Sequence, residues 1–280
     1  MENSTSNPLS GFFRQPSIFL KLPSNGRYWQ EGSLDLPVTG EIPVYPMTTK
    51  DEILLKTPDA LLNGQGVVDV IQSCCPNIKN AWEMPSIDVD AALIAIRIAT
   101  YGSNMPVTSK CAHCGAEHEH EIDMSGILSN LNTPSYTQML EYKTLKIKLK
   151  PQKYFSVNKT SKVNFEEQRM MDALQMGEDI DPEIKAKQLT DSMQKLVDLS
   201  LENAADSTDY IEMQDGTRID DHGFIKEFYE KTELSLVHAI QDRLAEIADT
   251  MKIKPMPATC DECNKEYPIE IAFDYSSFFG

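Results

Sequence analysis

Four of the six cysteines in this 280-residue chain fall into two Cys-x-x-Cys pairs, Cys111 with Cys114 and Cys260 with Cys263. Each pair can turn two sulfurs towards one ion while backbone amides of the turn donate to the negative thiolates. Two pairs supply the four ligands of a closed tetrahedral site, so the expected cofactor is one structural Zn2+ per chain. The flanking residues repeat as well: CAHCGAEHEHEI at 111–122 aligns without a gap against CDECNKEYPIEI at 260–271. Two distant segments of one local form are what a zinc-ribbon-like junction of paired knuckles requires.

Other uses of these thiols fit less well. A redox pair of the thioredoxin kind sits between a strand and a long amphipathic helix, and no such helix follows Cys114 or Cys263. His113, His118 and His120 beside the first pair could replace a cysteine or hold a second ion. The second knuckle places Glu266 and Pro268 opposite Glu117 and Glu119 and offers no matching histidines, so roles in solvent or behind the ligands are expected for all three. Nothing in the spacing recruits His222 or His238. Cys74 and Cys75 are adjacent, lack the two intervening residues of a knuckle, and read as core or helix-end cysteines.

A site closed by four thiolates keeps no open position for substrate. The chain also lacks GxGxxG, a Gly-rich phosphate loop, GxSxG and HExxH. No enzymatic activity is therefore expected. With 43 acidic against 26 basic residues the formal net charge is -17, a field that repels phosphate backbones and anionic lipid. Neither nucleic acid nor membrane is an expected partner. No stretch approaches the roughly 20 apolar residues of a membrane helix, and residues 1–7 do not read as an export signal. The expectation is a chain made in the cytoplasm, where reducing conditions favour metal ligation over disulfides.

The elements that must position the knuckles read as an α+β protein, mixed and largely helical with short sheets. Residues 17–22 alternate as a strand, and Pro23-Ser24-Asn25-Gly26 makes a turn leading to Tyr28 and Trp29, which should anchor the loop on a core. The prolines of 34–47 favour an edge or a twisted hairpin with Gly40 at its bend. A helix should start near Lys50 behind Thr48 or Thr49 and carry apolar surface on to Leu61 and Leu62. Residues 67–74 form another short apolar element. Over 88–101 a helix is predicted, with Val89, Leu93, Ile96 and Tyr101 on its repeat and Ser86 or Asp88 as its cap.

Leu145, Ile147 and Leu149 alternate with lysines in a strand. Helices are expected over 164–176 and 181–204, the second packing Ile184, Leu189, Met193, Leu196 and Val197, and helical periodicity resumes over 223–248. Residues 206–221 suit a hairpin or an exposed loop. The resulting division is a flexible 1–11, an α+β region 12–160 with the first knuckle, a largely helical insertion 161–251, and 252–280 with the second knuckle and an aromatic tail.

LPSNGRYW at 22–29 and FDYSSFFG at 273–280 together resemble the baseplate hub subunit family of T-even-type contractile-tailed bacteriophages. In that family a Leu-Pro-Ser-x-Gly segment followed by an aromatic opens the protein, and a hub-assembly domain with a final Phe-Phe closes it. The resemblance covers most of the chain. It implies a structural hub subunit or hub-assembly protein, built in the host cytoplasm into the virion tail baseplate alongside other hub, tail-tube or tape-measure proteins. Phe278 and Phe279 would then dock on a neighbour or on this chain's own core. The alternatives are a transient tail-assembly chaperone absent from the mature virion and, as a third class, a cell-wall-cleaving enzyme.

Overall fold

The computed structural model describes residues 7–57, 64–176 and 181–269. Ile18–Lys21 (β1) and Glu41–Val44 (β2) pair antiparallel, with Leu20 opposite Ile42 and both side chains buried. A hairpin inside 34–47 does not form. The LDLPV stretch makes a single bridge, Leu34 to Ile78, because Pro37 has no N–H to give a ladder and β1 offers a proline-free partner.

Thr48 caps Thr49–Leu55 (α1) through a reciprocal box with Asp51, as the sequence suggested, while Leu61 and Leu62 lie outside the described residues. Gln65–Cys74 (α2) buries Val67, Val70, Ile71 and Cys74, and Cys75 is buried at its end. Arg14 fastens the preceding chain to this layer, donating at 2.7 Å to the carbonyls of both Pro46 and Ser73.

Ser86–Tyr101 (α3) is buried on nearly every side from Ile87 to Arg97, the pattern of a helix at the centre of a core. Two expectations about it fail. Tyr101 at its end is 44 % exposed, and neither Ser86 nor Asp88 caps it, since Pro85 precedes the first turn without a side-chain bond. Asp88 faces inward and receives Ser24 N at 2.7 Å, Ser24 Oγ at 2.5 Å and Trp29 Nε1 at 2.9 Å. The 22–29 segment is thus tied to the central helix through a carboxylate. Gly26 at its bend has φ +76°, a left-handed conformation that costs glycine little.

A second core gathers on a four-stranded antiparallel sheet ordered Leu140–Tyr142 (β5), Leu145–Leu149 (β6), Thr208–Glu212 (β7) and Arg218–Ile219 (β8), where β5 to β8 follow the hairpin of Asn104–Lys110 (β3) with Glu117–Asp123 (β4). The hairpin reading of 206–221 is the one realised. Ile147, Ile211, Tyr229, Leu236 and Ile240 form its apolar centre. After the short Met124–Ser129 (α4), the long helices are Tyr154–Met176 (α5) and Pro182–Asp206 (α6), then His222–Lys231 (α7) and Leu234–Met251 (α8).

α5 starts ten residues before the predicted 164. The stripe predicted for α6 is only partly used: Ile184, Met193 and Val197 are exposed, whereas Ser192 and Leu199 are buried. The reason is that α5 supplies one narrow seam. In that seam Ser192 Oγ donates to Glu167 at 2.6 Å and Lys195 Nζ at 3.0 Å. Met256–Thr259 (β9) and Glu266–Ile269 (β10) close the described chain as a hairpin. The architecture is α+β, mixed helical with short antiparallel sheets, and its four paired cysteines cluster in a manner consistent with a zinc-ribbon-like junction.

Candidate metal centre

Each cysteine pair lies in the turn of a two-stranded hairpin, Cys111 and Cys114 between β3 and β4, Cys260 and Cys263 between β9 and β10. The two turns are built alike. Cys111 N donates to Ala116 O at 2.9 Å and Gly115 N to Cys111 O at 2.9 Å. In the second turn Cys260 N donates to Lys265 O at 3.0 Å and Asn264 N to Cys260 O at 2.8 Å. Gly115 and Asn264, at matching positions, take left-handed φ values of +77° and +56°, the conformation that glycine and asparagine tolerate best. The gapless repeat in the sequence is therefore a repeat of backbone geometry.

The turns face each other across the hairpins. Cys111 Sγ lies 3.8 Å from Cys263 Sγ, and Cys114 Sγ lies 3.5 Å from Cys260 Sγ. All four sulfurs fall within 4.8 Å of one another. With Zn–S bonds of about 2.3 Å, the edges of a sulfur tetrahedron are about 3.8 Å long, so the spacing fits a four-thiolate ion. Cys111 and Cys260 are buried, Cys263 is half-buried and Cys114 is exposed, which leaves the cluster one solvent-facing corner.

Electrostatics at the cluster point the same way. Burial opposes ionisation of Cys260, yet the backbone N–H groups of Cys263 and Glu262, with Cys114 and His118, bring its thiol down to about 6. At Cys114 the N–H of Ala116 favours the thiolate, but Cys260, burial and the other sulfurs push the thiol up to about 12. Four sulfurs this close cannot all be thiolates by themselves, because like charges at such separations disfavour one another. A dication is the species that lets all four ionise together.

The histidines expected to face solvent or stand behind the ligands all reach the other hairpin. His113 Nε2 is 3.2 Å from Glu266 O, His118 Nε2 is 3.1 Å from Cys260 Sγ, and His120 Nε2 is 3.0 Å from the hydroxyl of Tyr267. Ser109 Oγ meets that hydroxyl at 2.9 Å. A polar seam thus crosses between the hairpins, and Tyr267, buried within it, is a residue the sequence reading did not single out. Its signal was present: Tyr267 aligns with His118, and residues 118, 120 and 122 share the inward face of β4.

His222, which no spacing recruited, meets Glu202 and Asp206 with ligand atoms within 4.8 Å. Their polar atoms are already partnered. Lys226 Nζ is 2.5 Å from Glu202, His222 Nε2 is 2.9 Å from Asp206, and Ser156 Oγ donates to Asp206 at 2.7 Å. The group is an ion ladder joining α5, α6 and α7. Among the described residues no helix is long and apolar enough to cross a membrane.

A family model described as T4 bacteriophage base plate protein matches residues 16–280. No curated protein and no solved structure matches the chain. With nearly its whole length matched, the chain belongs to this T4-type phage baseplate family.

Proposed function

We propose, with membership of the baseplate family as premise, that the chain is a structural baseplate hub subunit or hub-assembly protein of a contractile-tailed bacteriophage. We assign it one structural Zn2+ held by Cys111, Cys114, Cys260 and Cys263. The observation that carries the metal is the convergence of four sulfurs from two sequence-distant hairpins with similarly built turns. The ion would supply a fixed crosslink: separating β3–β4 from β9–β10 would cost the site half its ligands. Cys111, Ile122, Cys260 and Tyr267 belong to the same core as α2 and α3, so the crosslink bears directly on the central helices. A baseplate component gains from this a surface whose shape is set before its neighbours arrive.

A closed four-thiolate centre in a baseplate family is the arrangement of a structural part and supplies no position for catalysis. The partners on this reading are other hub, tail-tube or tape-measure proteins, met in the host cytoplasm and retained in the virion tail. Within the chain we take 161–251 as a largely helical insertion between the cysteine-bearing regions 12–160 and 252–280. Phe278 and Phe279, which would dock on a neighbour or on this chain, lie outside the described residues.

Elemental analysis of protein purified without added metal tests the centre. About one zinc per chain is expected, falling with Cys111→Ala or Cys263→Ala; no bound metal and four freely reactive thiols would refute it. A protein inventory of purified particles tests the role. Stoichiometric retention is expected, whereas presence in assembly intermediates alone would identify a transient chaperone instead.

A further inference from the structure

The two hairpins share one turn geometry, but the side-chain contacts to their cysteine sulfurs differ. His118 and Tyr267 occupy matching positions in β4 and β10, and each points across the seam. Tyr267 spends its hydroxyl on Ser109 and His120. His118 instead reaches the sulfur of the facing knuckle, with Nε2 3.1 Å from Cys260 Sγ. Cys111, the residue equivalent to Cys260, receives a backbone N–H from His113 at 3.4 Å. The side-chain contact therefore makes the site asymmetric.

A Zn2+ bound to four thiolates keeps a net charge of minus two, and this chain's formal charge is already -17. N–H donors spread the excess charge on the sulfurs and strengthen metal retention. We propose that His118 is a positioning residue of the metal centre, donating Nε2–H to Cys260 Sγ and holding that thiolate in the ligand set. The inference rests on the four-cysteine zinc reading and goes beyond it, because it names a fifth side chain and one sulfur on which it acts. His113 and His120 do not share the role, since the Nε2 atoms of their rings face Glu266 O and the Tyr267 hydroxyl.

The test compares full-length wild type with His118→Leu, His118→Gln and His120→Phe, each first checked for folding by circular dichroism. Zinc affinity is measured by competition with a chromogenic chelator. His118→Leu, which fills the space without a donor, should weaken zinc binding about 10-fold or more. His118→Gln restores an N–H and should recover most of the loss, while His120→Phe, which removes a seam bond but no donor to sulfur, should lose clearly less affinity than His118→Leu. Cobalt substitution adds a readout of the sulfur itself. Loss of the donor raises electron density on Cys260, so the sulfur-to-cobalt charge-transfer band should move to lower energy in His118→Leu and not in His120→Phe.

Equal affinities for wild type and His118→Leu would overturn the proposal. So would equal losses in His118→Leu and His120→Phe, which would reduce His118 to one more seam contact. Should His118→Leu not fold, His118→Phe, which also lacks a donor, carries the decision: weakened zinc binding with a shifted band upholds the donor, and wild-type affinity and band refute it. Wild type without zinc would bring down the metal reading itself, an outcome visible before any variant is compared.

Discussion

Replacing Asp88 with Asn isolates the polar group nearest the centre of the fold. Its carboxylate is fully buried and binds Ser24 N, Ser24 Oγ and Trp29 Nε1. Burial raises its pKa from 3.8 to about 6, against the opposing pull of the Ser24 and Trp29 bonds. Each unit is worth 1.36 kcal/mol, so the shift amounts to about 3 kcal/mol of linkage between protonation and folding. Between about pH 4 and pH 6 the folded chain holds a proton that the unfolded chain, with an aspartate pKa near 3.9, has released. Stability must therefore fall as pH rises through that window, the opposite sign to a salt-bridged carboxylate.

Urea unfolding followed by tryptophan fluorescence, for wild type and Asp88→Asn at matched pH values from 4.5 to 7.5, reads this out. Asparagine cannot ionise, and every other titrating group cancels in the difference between the two proteins. The stability of wild type minus that of the variant should be greater at pH 4.5 than at pH 7.5 by about 2 kcal/mol. A difference that stays flat, or that grows with pH, would refute the account of a desolvated carboxylate holding the 22–29 segment.

Gly26→Ala forces a left-handed residue to carry a Cβ, placed 2.7 Å from Leu36 Cδ2; the strain should lower stability by about 1 to 2 kcal/mol, measured by the same unfolding assay, with Leu36 free to yield part of the clash. Ile71→Ala opens a cavity at a fully buried position of α2 and should cost about 2 to 5 kcal/mol. A loss under about 0.5 kcal/mol at Ile71, the range of an ordinary surface change, would contradict its place in the core.

The four cysteines, the repeat that frames them and most helices were legible because each depends on neighbours a few residues away. Cys-x-x-Cys spacing, the Thr48 and Asp51 pair before α1, and alternation in β6 all express local backbone geometry. Cys74 and Cys75 could be set aside for the same reason. Family membership was legible too, in LPSNGRYW and the aromatic tail, and the match over residues 16–280 bears it out.

Tertiary structure decided whatever depends on residues far apart in the chain. Periodicity marked Ile184, Met193 and Val197 as packing positions, but α5 covers only one seam of α6 and leaves all three exposed. Asp88 has the sequence context of a helix cap, and became a buried anchor because Ser24 and Trp29 arrive from another element with three donors. The proximity of His118 to Cys260 and of His120 to Tyr267 likewise required two hairpins to meet face to face. Local propensity sets where a helix or a tight turn forms, since its hydrogen bonds close within the segment. Which side chains meet is set by how elements pack, and no window along the sequence contains that information.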